Sequence, residues 1–240
     1  MAKKANTNNA PILMKPSAKK IVHSITAFTL LDYPDHTACI LWFAGCNMKC
    51  SYCYNPEIVF GKGSYSIPEI ISFLQKRKGL LDAVVFSGGE CILHKESIEL
   101  MVLIKKMGFL IKVDTNGSKS ERLQEALALG LIDFVALDFK STEAKFKDIT
   151  ESNFYNHFLE CLSILQVSET PFEVRTTIHS ELLMEEDLKE MIQVLKSKNY
   201  FGNYYLQPFR NGIETLKKMN ASQSKTFTHL STPEIWIQMR

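Results

Sequence analysis

Three cysteines, Cys46, Cys50 and Cys53, lie close together in a C-x-x-x-C-x-x-C run. Because the thiolate is the form of cysteine that binds metals, these side chains are candidate ligands of one metal centre. A four-iron cluster is normally held by four thiolates, so three leave one iron with an open coordination position. Catalytic zinc sites differ from closed structural ones in the same way. The spacing therefore favours a metal centre that performs chemistry.

A structural zinc site is the main alternative for these cysteines. Such a site usually pairs two short Cys-x-x-Cys segments or adds nearby histidines, and no second group of ligands follows in this sequence. Cys161 falls on an apolar helical stripe, which is typical of a core residue. We expect no disulfide, because the sequence shows no export signal and a protein without one stays in a reducing compartment. The spacing favours an iron-sulfur cluster, and a zinc site remains the alternative.

The rest of the sequence predicts the elements that must position the cysteines. Short apolar segments alternate with amphipathic helical stretches, which favours right-handed β-α-β units around a parallel sheet. We predict six strands, at residues 38–43, 83–86, 109–113, 134–137, 172–178 and 204–206. We predict helices near residues 67–74, 100–107, 121–129, 154–166 and 188–195. Six units are too few for a closed eight-stranded barrel, so we expect an α/β fold that forms a partial (β/α)6 barrel of the TIM type.

Length and charge predict one domain of ordinary composition. The chain has 240 residues, of which 45% are hydrophobic, and a net charge of +2, so we expect no nucleic-acid partner. Residues 1–20 contain five lysines and no acidic residue, which predicts a disordered basic tail before a single domain at residues 21–240. No segment approaches the length of a membrane span, so we expect no membrane contact and a cytoplasmic location.

Polar and glycine-rich residues cluster at the ends of the predicted strands. Ligands of parallel α/β folds gather at the carboxyl ends of the strands, where the cysteine run also lies. The other candidate residues there are Ser87, Gly88, Gly89, Glu90, Asp114, Thr115, Asn116, Asp138, Lys140, Arg175, Gln207 and Arg210. Glycines let a ligand approach the backbone, a carboxylate suits an ammonium group, and hard oxygens suit a cation. The Asp-Thr-Asn-Gly segment is equally typical of a turn and helix cap, and this alternative stays open.

The order of these motifs resembles that of the radical S-adenosylmethionine (radical SAM) enzymes, and among them the glycyl-radical enzyme activases. The matching segments are Leu31-Asp32-Tyr33-Pro34, Gly45-Cys46, Tyr52-Cys53-Tyr54-Asn55-Pro56-Glu57, Ser87-Gly88-Gly89-Glu90, Asp114-Thr115-Asn116-Gly117 and Leu137-Asp138-Phe139-Lys140. The family includes the activating enzymes of pyruvate formate-lyase and of anaerobic ribonucleoside-triphosphate reductase, and the shorter, reductase type is more similar. The likeness spans roughly residues 25–210.

The resemblance implies cofactors, a reaction and a role for each matching residue. It implies a [4Fe-4S] cluster, S-adenosylmethionine at the free iron, an electron donor of the flavodoxin or ferredoxin type, and a glycyl-radical enzyme as protein substrate. Reductive cleavage of the cofactor would give a deoxyadenosyl radical that removes hydrogen from a glycine of the partner. The implied cluster ligands are Cys46, Cys50 and Cys53. Tyr52 would lie near the adenine, Gly88 to Glu90 at the methionine amino group, Asp114 with Thr115 near its carboxylate, and Asp138 with Lys140 beside the methionine. Further candidates for cofactor binding are Ser87, Asn116 and Arg175. Asp32 and Pro34 match a loop near the substrate peptide.

Three departures from the family pattern affect the substrate more than the cluster. Tyr54 stands where the family commonly has histidine, Asp35 and His36 stand where glycines are common, and Arg210 stands where the pyruvate formate-lyase activase has histidine. Two alternatives remain at this point: a radical SAM enzyme that acts on a small molecule or nucleoside, and a non-enzymatic metal-binding or electron-carrier module.

Overall fold

The computed structural model describes residues 17–240, in which one nine-stranded sheet forms the centre of the fold. The strands are β1 (Lys20–Thr29), β2 (Ala38–Phe43), β3 (Tyr65–Ser66), β4 (Ala83–Gly88), β5 (Leu110–Thr115), β6 (Phe134–Asp138), β7 (Phe172–Ile178), β8 (Gly202–Pro208) and β9 (Ile235–Met239). The helices are α1 (Pro56–Val59), α2 (Ile67–Gln75), α3 (Glu96–Lys106), α4 (Ser120–Ala128), α5 (Glu143–Thr150), α6 (Tyr155–Val167) and α7 (Glu185–Ser197).

The sheet is ordered β3-β1-β2-β4-β5-β6-β7-β8-β9. All pairs from β2 to β9 are parallel, whereas β1 pairs antiparallel with both β2 and β3. The six predicted strands are β2 and β4 to β8, and the five predicted helices are α2, α3, α4, α6 and α7. The prediction of a partial (β/α)6 barrel is confirmed, since β3 and β9 do not pair with each other and leave the sheet open.

Alternation along the strands separates a helix-covered face from a polar one. Residues such as Leu41, Phe86 and Val113 pack under the helices and are fully buried. Positions that pair across a parallel sheet share a face, so the register places Asp138 beside Arg175 on the opposite, inward face. A small apolar cluster around Tyr33 fills this inward face at the amino ends of the strands. The carboxyl ends are left for polar side chains.

The described chain begins at Ser17, within the predicted tail. Residues 1–16 of the predicted tail lie outside the described residues, whereas Ser17 and Lys19 contact helix α3: the Ser17 backbone N–H donates to Glu99 over 3.2 Å, and Lys19 pairs with Glu96 at 3.2 Å. Strand β1 already begins at Lys20. Across residues 17–240, the helices are all too short or too polar to cross a bilayer.

Candidate active site

A cavity of about 440 Å³ opens at the carboxyl ends of the parallel strands. Its volume falls in the usual range of small-molecule sites. Fourteen of the predicted site residues line it: Cys46, Cys50, Tyr52, Cys53, Ser87, Gly88, Gly89, Asp114, Asn116, Asp138, Lys140, Arg175, Gln207 and Arg210. Tyr54, which like Arg210 departs from the family pattern, lines it as well. Residues from all six predicted strand ends therefore meet in one place.

Four predicted residues lie elsewhere. Glu90 and Thr115 are buried behind the cavity wall and do not line it. Asp32 and Pro34 lie in the loop between β1 and β2, at the amino ends of the parallel strands, where the Thr37 backbone N–H donates to the Asp82 carboxylate over 2.9 Å. The loop that resembles a substrate-contacting segment is thus at the opposite end of the sheet from the cysteines.

The cysteine loop follows β2 and is fixed by backbone contacts to three other segments. Gly45 takes a positive φ of 82°, which turns the chain out of the strand, and its N–H donates to the Ile58 carbonyl over 2.8 Å. The Ser51 N–H donates to the Ile149 carbonyl at the end of α5. From the segment after β8, the Leu216 and Lys217 N–H groups donate to the carbonyls of Cys53 and Ser51 over 2.9 and 3.1 Å. Residues far apart in sequence therefore shape this loop.

The two glycines after β4 let the backbone pack directly on the start of the cysteine loop. A Cβ atom on Gly88 would lie 2.5 Å from the Phe43 nitrogen, and one on Gly89 would lie 2.0 Å from the Gly45 carbonyl oxygen. The Glu90 N–H donates to that same carbonyl over 3.0 Å. The glycines thus serve contact between two loops of the protein, in addition to exposing backbone to the cavity.

The three thiols form a donor set that suits a cluster. Burial raises the pKa of Cys46 to about 12 and that of Cys50 to about 11, while the Lys140 charge acts in the opposite direction on both. Metal binding must therefore displace their protons, as it does in other thiolate sites. All three thiols line one cavity, and thiolates are the usual ligands of iron-sulfur clusters, so this donor set suits a cluster.

An orphaned polar atom beside the cysteines also fits a bound cofactor. The Tyr52 hydroxyl is buried and has no hydrogen-bond partner in the described part of the chain. Burial raises its pKa, and the residues that act on it electrostatically include Lys140 and Cys50. A buried hydroxyl without a partner costs free energy, so such an atom at a cavity wall marks a place for a ligand group.

A row of charged side chains with alternating sign crosses the inward face of the sheet. Lys112 pairs with Asp114, Arg175 lies 3.5 Å from Asp114 and 2.8 Å from Asp138, and Lys140 lies 3.0 Å from Asp138. Burial alone would raise the pKa of Asp138, but Arg175 and Lys140 outweigh it and hold this pKa below its usual value. Burial would likewise lower the pKa of Lys140, and Asp138 raises it well above its usual value. Asp138 and Lys140 therefore stay charged at neutral pH.

Glu90 connects two of the strand-end loops from behind the cavity. Its carboxylate accepts hydrogen bonds from the Thr115 hydroxyl and the Asn116 N–H, both at 2.8 Å, and from the Ile92 N–H at 3.4 Å. Burial raises its pKa to about 7, although these three donors act against the shift. Through these contacts Glu90 positions the loop after β5. In the turn after β4, Gly88 and Gly89 line the cavity and Glu90 does not.

Tyr54 connects the cysteine loop to the end of β8. Its hydroxyl accepts a hydrogen bond from the Arg210 backbone N–H over 2.7 Å, and its ring stacks on Phe209 with ring centroids 5.5 Å apart. Phe209 in turn meets the His179 ring edge-on at 4.7 Å. The tyrosine that departs from the family pattern thus fixes the distance between two walls of the cavity.

Sequence reasoning missed several residues of the site. Lys112 lies two residues before Asp114 on β5 and therefore shares its face, a signal that period-two alternation contains. Asn47 hydrogen-bonds Ser118 and Asn116, and Trp42 and Ile213 line the cavity. Asn47 and Ile213 carry no comparable signal, because their place depends on contacts between distant segments.

Comparisons with known proteins agree on one superfamily. Residues 40–195 match the sequence profile of the radical SAM superfamily. A Methanocaldococcus jannaschii protein, whose own assignment as a glycyl-radical enzyme activating enzyme is provisional, is 31% identical over 211 residues, with 84% of this chain and 86% of that protein covered. The pyruvate formate-lyase-activating enzyme of Clostridium pasteurianum is 28% identical over 211 residues, with 83% and 86% covered.

The solved structure of SuiB from Streptococcus suis shares the fold, with a TM-score of 0.60 at 11% identity. The match covers 82% of this chain but 47% of SuiB, so this chain spans about half the length of that protein. At this identity the likeness concerns the fold alone.

Proposed function

Because the chain belongs to the radical SAM superfamily, and within it to the glycyl-radical enzyme activating enzymes, we propose that it generates a glycyl radical on anaerobic ribonucleoside-triphosphate reductase. The chain is an enzyme of this type, and the cofactors of its family are a [4Fe-4S] cluster and S-adenosylmethionine. The observation that supports the assignment most is the meeting of Cys46, Cys50 and Cys53 with polar strand ends in one cavity.

In this proposal the three cysteines would hold a [4Fe-4S] cluster, which leaves one iron without a protein ligand. When bound, the cluster supplies the electron that cleaves S-adenosylmethionine reductively. The protein contributes a fixed loop: backbone contacts from Leu216 and Lys217 hold the carbonyls of Cys53 and Ser51 in place. The nearby positive charge of Lys140 favours the thiolate form of Cys50.

The cofactor would lie between the cysteine loop and the row of charges. Its amino acid end carries one positive and one negative group, and the row presents Asp138 and Lys140 side by side. The exposed backbone of Gly88 and Gly89 and the orphaned Tyr52 hydroxyl provide further polar contacts. Trp42 presents an aromatic ring to one wall.

A protein substrate fits the open side of this cavity. The rim residues Pro208, Arg210 and Ile213 line the cavity and are exposed. The sheet does not close between β9 and β3, so an extended segment can reach the interior. We propose that the glycine-bearing loop of the partner enters here, and that a flavodoxin or ferredoxin delivers the electron. We propose no role for nucleic acid.

The test is an anaerobic electron paramagnetic resonance (EPR) experiment on the reconstituted, reduced protein with S-adenosylmethionine and an anaerobic ribonucleotide reductase from the same genome. A glycyl doublet on the partner, together with 5′-deoxyadenosine as product, is expected. Replacing Cys50 with alanine should abolish both signals, whereas Cys39→Ala, which removes a buried thiol outside the cavity, should retain them.

Other outcomes of this experiment identify which part of the proposal fails. Cofactor cleavage without a doublet would reject the reductase and favour a small molecule or nucleoside as substrate. A protein that binds zinc would reject the assignment of the cysteines to a cluster. A cluster that never cleaves the cofactor would reject the proposed activity. Membership in an enzyme family already favours catalysis over a non-enzymatic metal carrier.

A further inference from the structure

The Cys46 sulfur differs from the other two cysteine sulfurs in its hydrogen bonds. It accepts from the Met48 backbone N–H over 3.5 Å and from the Asn116 side-chain nitrogen Nδ2 over 3.7 Å. Distances of this size are normal for sulfur, which is a larger atom than oxygen. Within residues 17–240, neither Cys50 nor Cys53 receives a side-chain N–H at its sulfur.

The orientation of the Asn116 amide is fixed by its other contacts. The Ser118 backbone N–H donates to Asn116 Oδ1 over 3.0 Å, and a backbone N–H can only donate. A flipped amide would place its NH₂ group against this donor and its oxygen against Asn47 Oδ1, which is 3.2 Å from Nδ2. The Nδ2 hydrogens must therefore point toward Asn47 and Cys46.

Buried neighbours hold this amide in place. The Asn116 backbone N–H donates to the Glu90 carboxylate over 2.8 Å, and Asn47 Nδ2 donates to the Ser118 hydroxyl over 2.8 Å. Asn116 is 6% exposed and Ser118 is 1% exposed. A donor that is already ordered in the folded protein loses no further freedom when it stabilises charge on the sulfur.

We propose that Asn116 is a positioning residue that sets the reduction potential of the cluster through its hydrogen bond to the Cys46 sulfur. The proposal rests on the proposed function, in which Cys46 is a cluster ligand. Reduction adds negative charge that is shared by the iron and its thiolates, and an N–H donor at a thiolate stabilises that charge. The bond therefore raises the potential and eases reduction by the electron donor.

The test is an EPR-monitored redox titration of the reconstituted full-length protein in the absence of S-adenosylmethionine. Asn116→Leu retains the approximate size of the side chain without its donor, and Asn116→Asp replaces the donor with a negative charge. Both variants should lower the midpoint potential, Asn116→Asp more than Asn116→Leu. Ser118→Ala removes a hydroxyl that contacts only Asn47 and keeps the backbone N–H at Asn116 Oδ1, so its potential should equal that of the wild type.

Two results would overturn the proposal. One is an unchanged potential in an Asn116→Leu protein with the wild-type iron content. The other is an equal shift in Ser118→Ala, because that would show a general effect of loosening the loop.

A second measurement needs no variant and covers the case in which the substituted proteins fail to take up iron. The wild-type protein is labelled with ¹⁵N in the asparagine side chains, and its reduced cluster is studied by pulsed EPR. A nitrogen coupling that changes on labelling is expected, and its absence would reject the bond. A wild-type protein that forms no cluster would reject the proposed function itself, whereas cofactor cleavage with no asparagine coupling would reject this inference alone.

Discussion

Replacing Arg175 with methionine should destabilise the fold, because this side chain separates two buried carboxylates. Arg175 lies 3.5 Å from Asp114 and 2.8 Å from Asp138, and the three side chains are 14%, 13% and 24% exposed. Removing one partner of a buried ion pair costs about 3–5 kcal/mol. Asp114 and Asp138 each keep a lysine partner, so we expect the lower end of this range, about 3 kcal/mol.

Urea denaturation of the apoprotein, followed by tryptophan fluorescence, measures this loss as a lower midpoint at unchanged slope. Arg175→Lys should lose less, since it keeps the charge but not the two-pronged contact with Asp138. Lys189→Ala serves as the control, because Lys189 pairs with Glu185 on the exposed face of α7, and its midpoint should hardly move.

The same network predicts a pH dependence. The pKa of Asp138 is held below its usual value, so its contribution to stability is present above the pKa of an unfolded aspartate and is lost as the pH falls through the lower, folded value. In Arg175→Met this acid-dependent loss should shift to higher pH. An Arg175→Met midpoint within error of Lys189→Ala would refute the reasoning, since it would mean that water or movement already compensates the two carboxylates.

Three further predictions concern the loops around the cysteines. Gly89→Ala should prevent cluster uptake, measured as iron per protein, because its Cβ would lie 2.0 Å from the Gly45 carbonyl oxygen. Gly79→Ala is the control: Gly79 has a positive φ but open space around it, so this variant should lose about 1–2 kcal/mol of folding stability and keep its iron. Tyr54→Phe should lose about 0.5–1.5 kcal/mol in urea denaturation by removing the acceptor for the Arg210 N–H, and Tyr54→Ala should lose more because the Phe209 stacking also disappears; equal losses would reject a role for the ring. Glu90 has a raised pKa of about 7, so its contribution to stability is present below the usual pKa of 4.5 and is lost as the pH rises through about 7. Between pH 5 and 8 the urea midpoint of the wild type should therefore fall relative to that of Glu90→Gln. Midpoints that change in parallel would contradict the raised pKa.

The central strands are predictable because each is a short apolar segment followed by a helical stripe. Strand β1 escapes prediction, since Lys20, His23 and Ser24 interrupt its apolar residues. Strand β9 is not predicted for another reason. Residues 209–234 contain no α-helix, so the alternation of strand and helix ends at β8. Pairing with β8 orders β9, and pairing across a sheet is invisible in a local pattern.

Some residues of the candidate site can also be predicted from the sequence and others cannot. Cys46, Cys50 and Cys53 are recognised by their type and spacing, and Asp138 and Arg175 by their position on predicted strands, because both signals are local. The partners of Glu90 are not local, because its carboxylate accepts hydrogen bonds from Thr115 at the end of β5 and from Asn116 just after it. Residue type alone does not reveal these contacts.

The contacts from Leu216 and Lys217 to the cysteine loop have a consequence for biosynthesis. The carbonyls of Cys53 and Ser51 gain their partners only from residues more than 160 positions later in the chain. During translation the cysteines therefore leave the ribosome long before their loop can take its final form. Cluster insertion into the finished loop therefore follows the synthesis of Leu216 and Lys217.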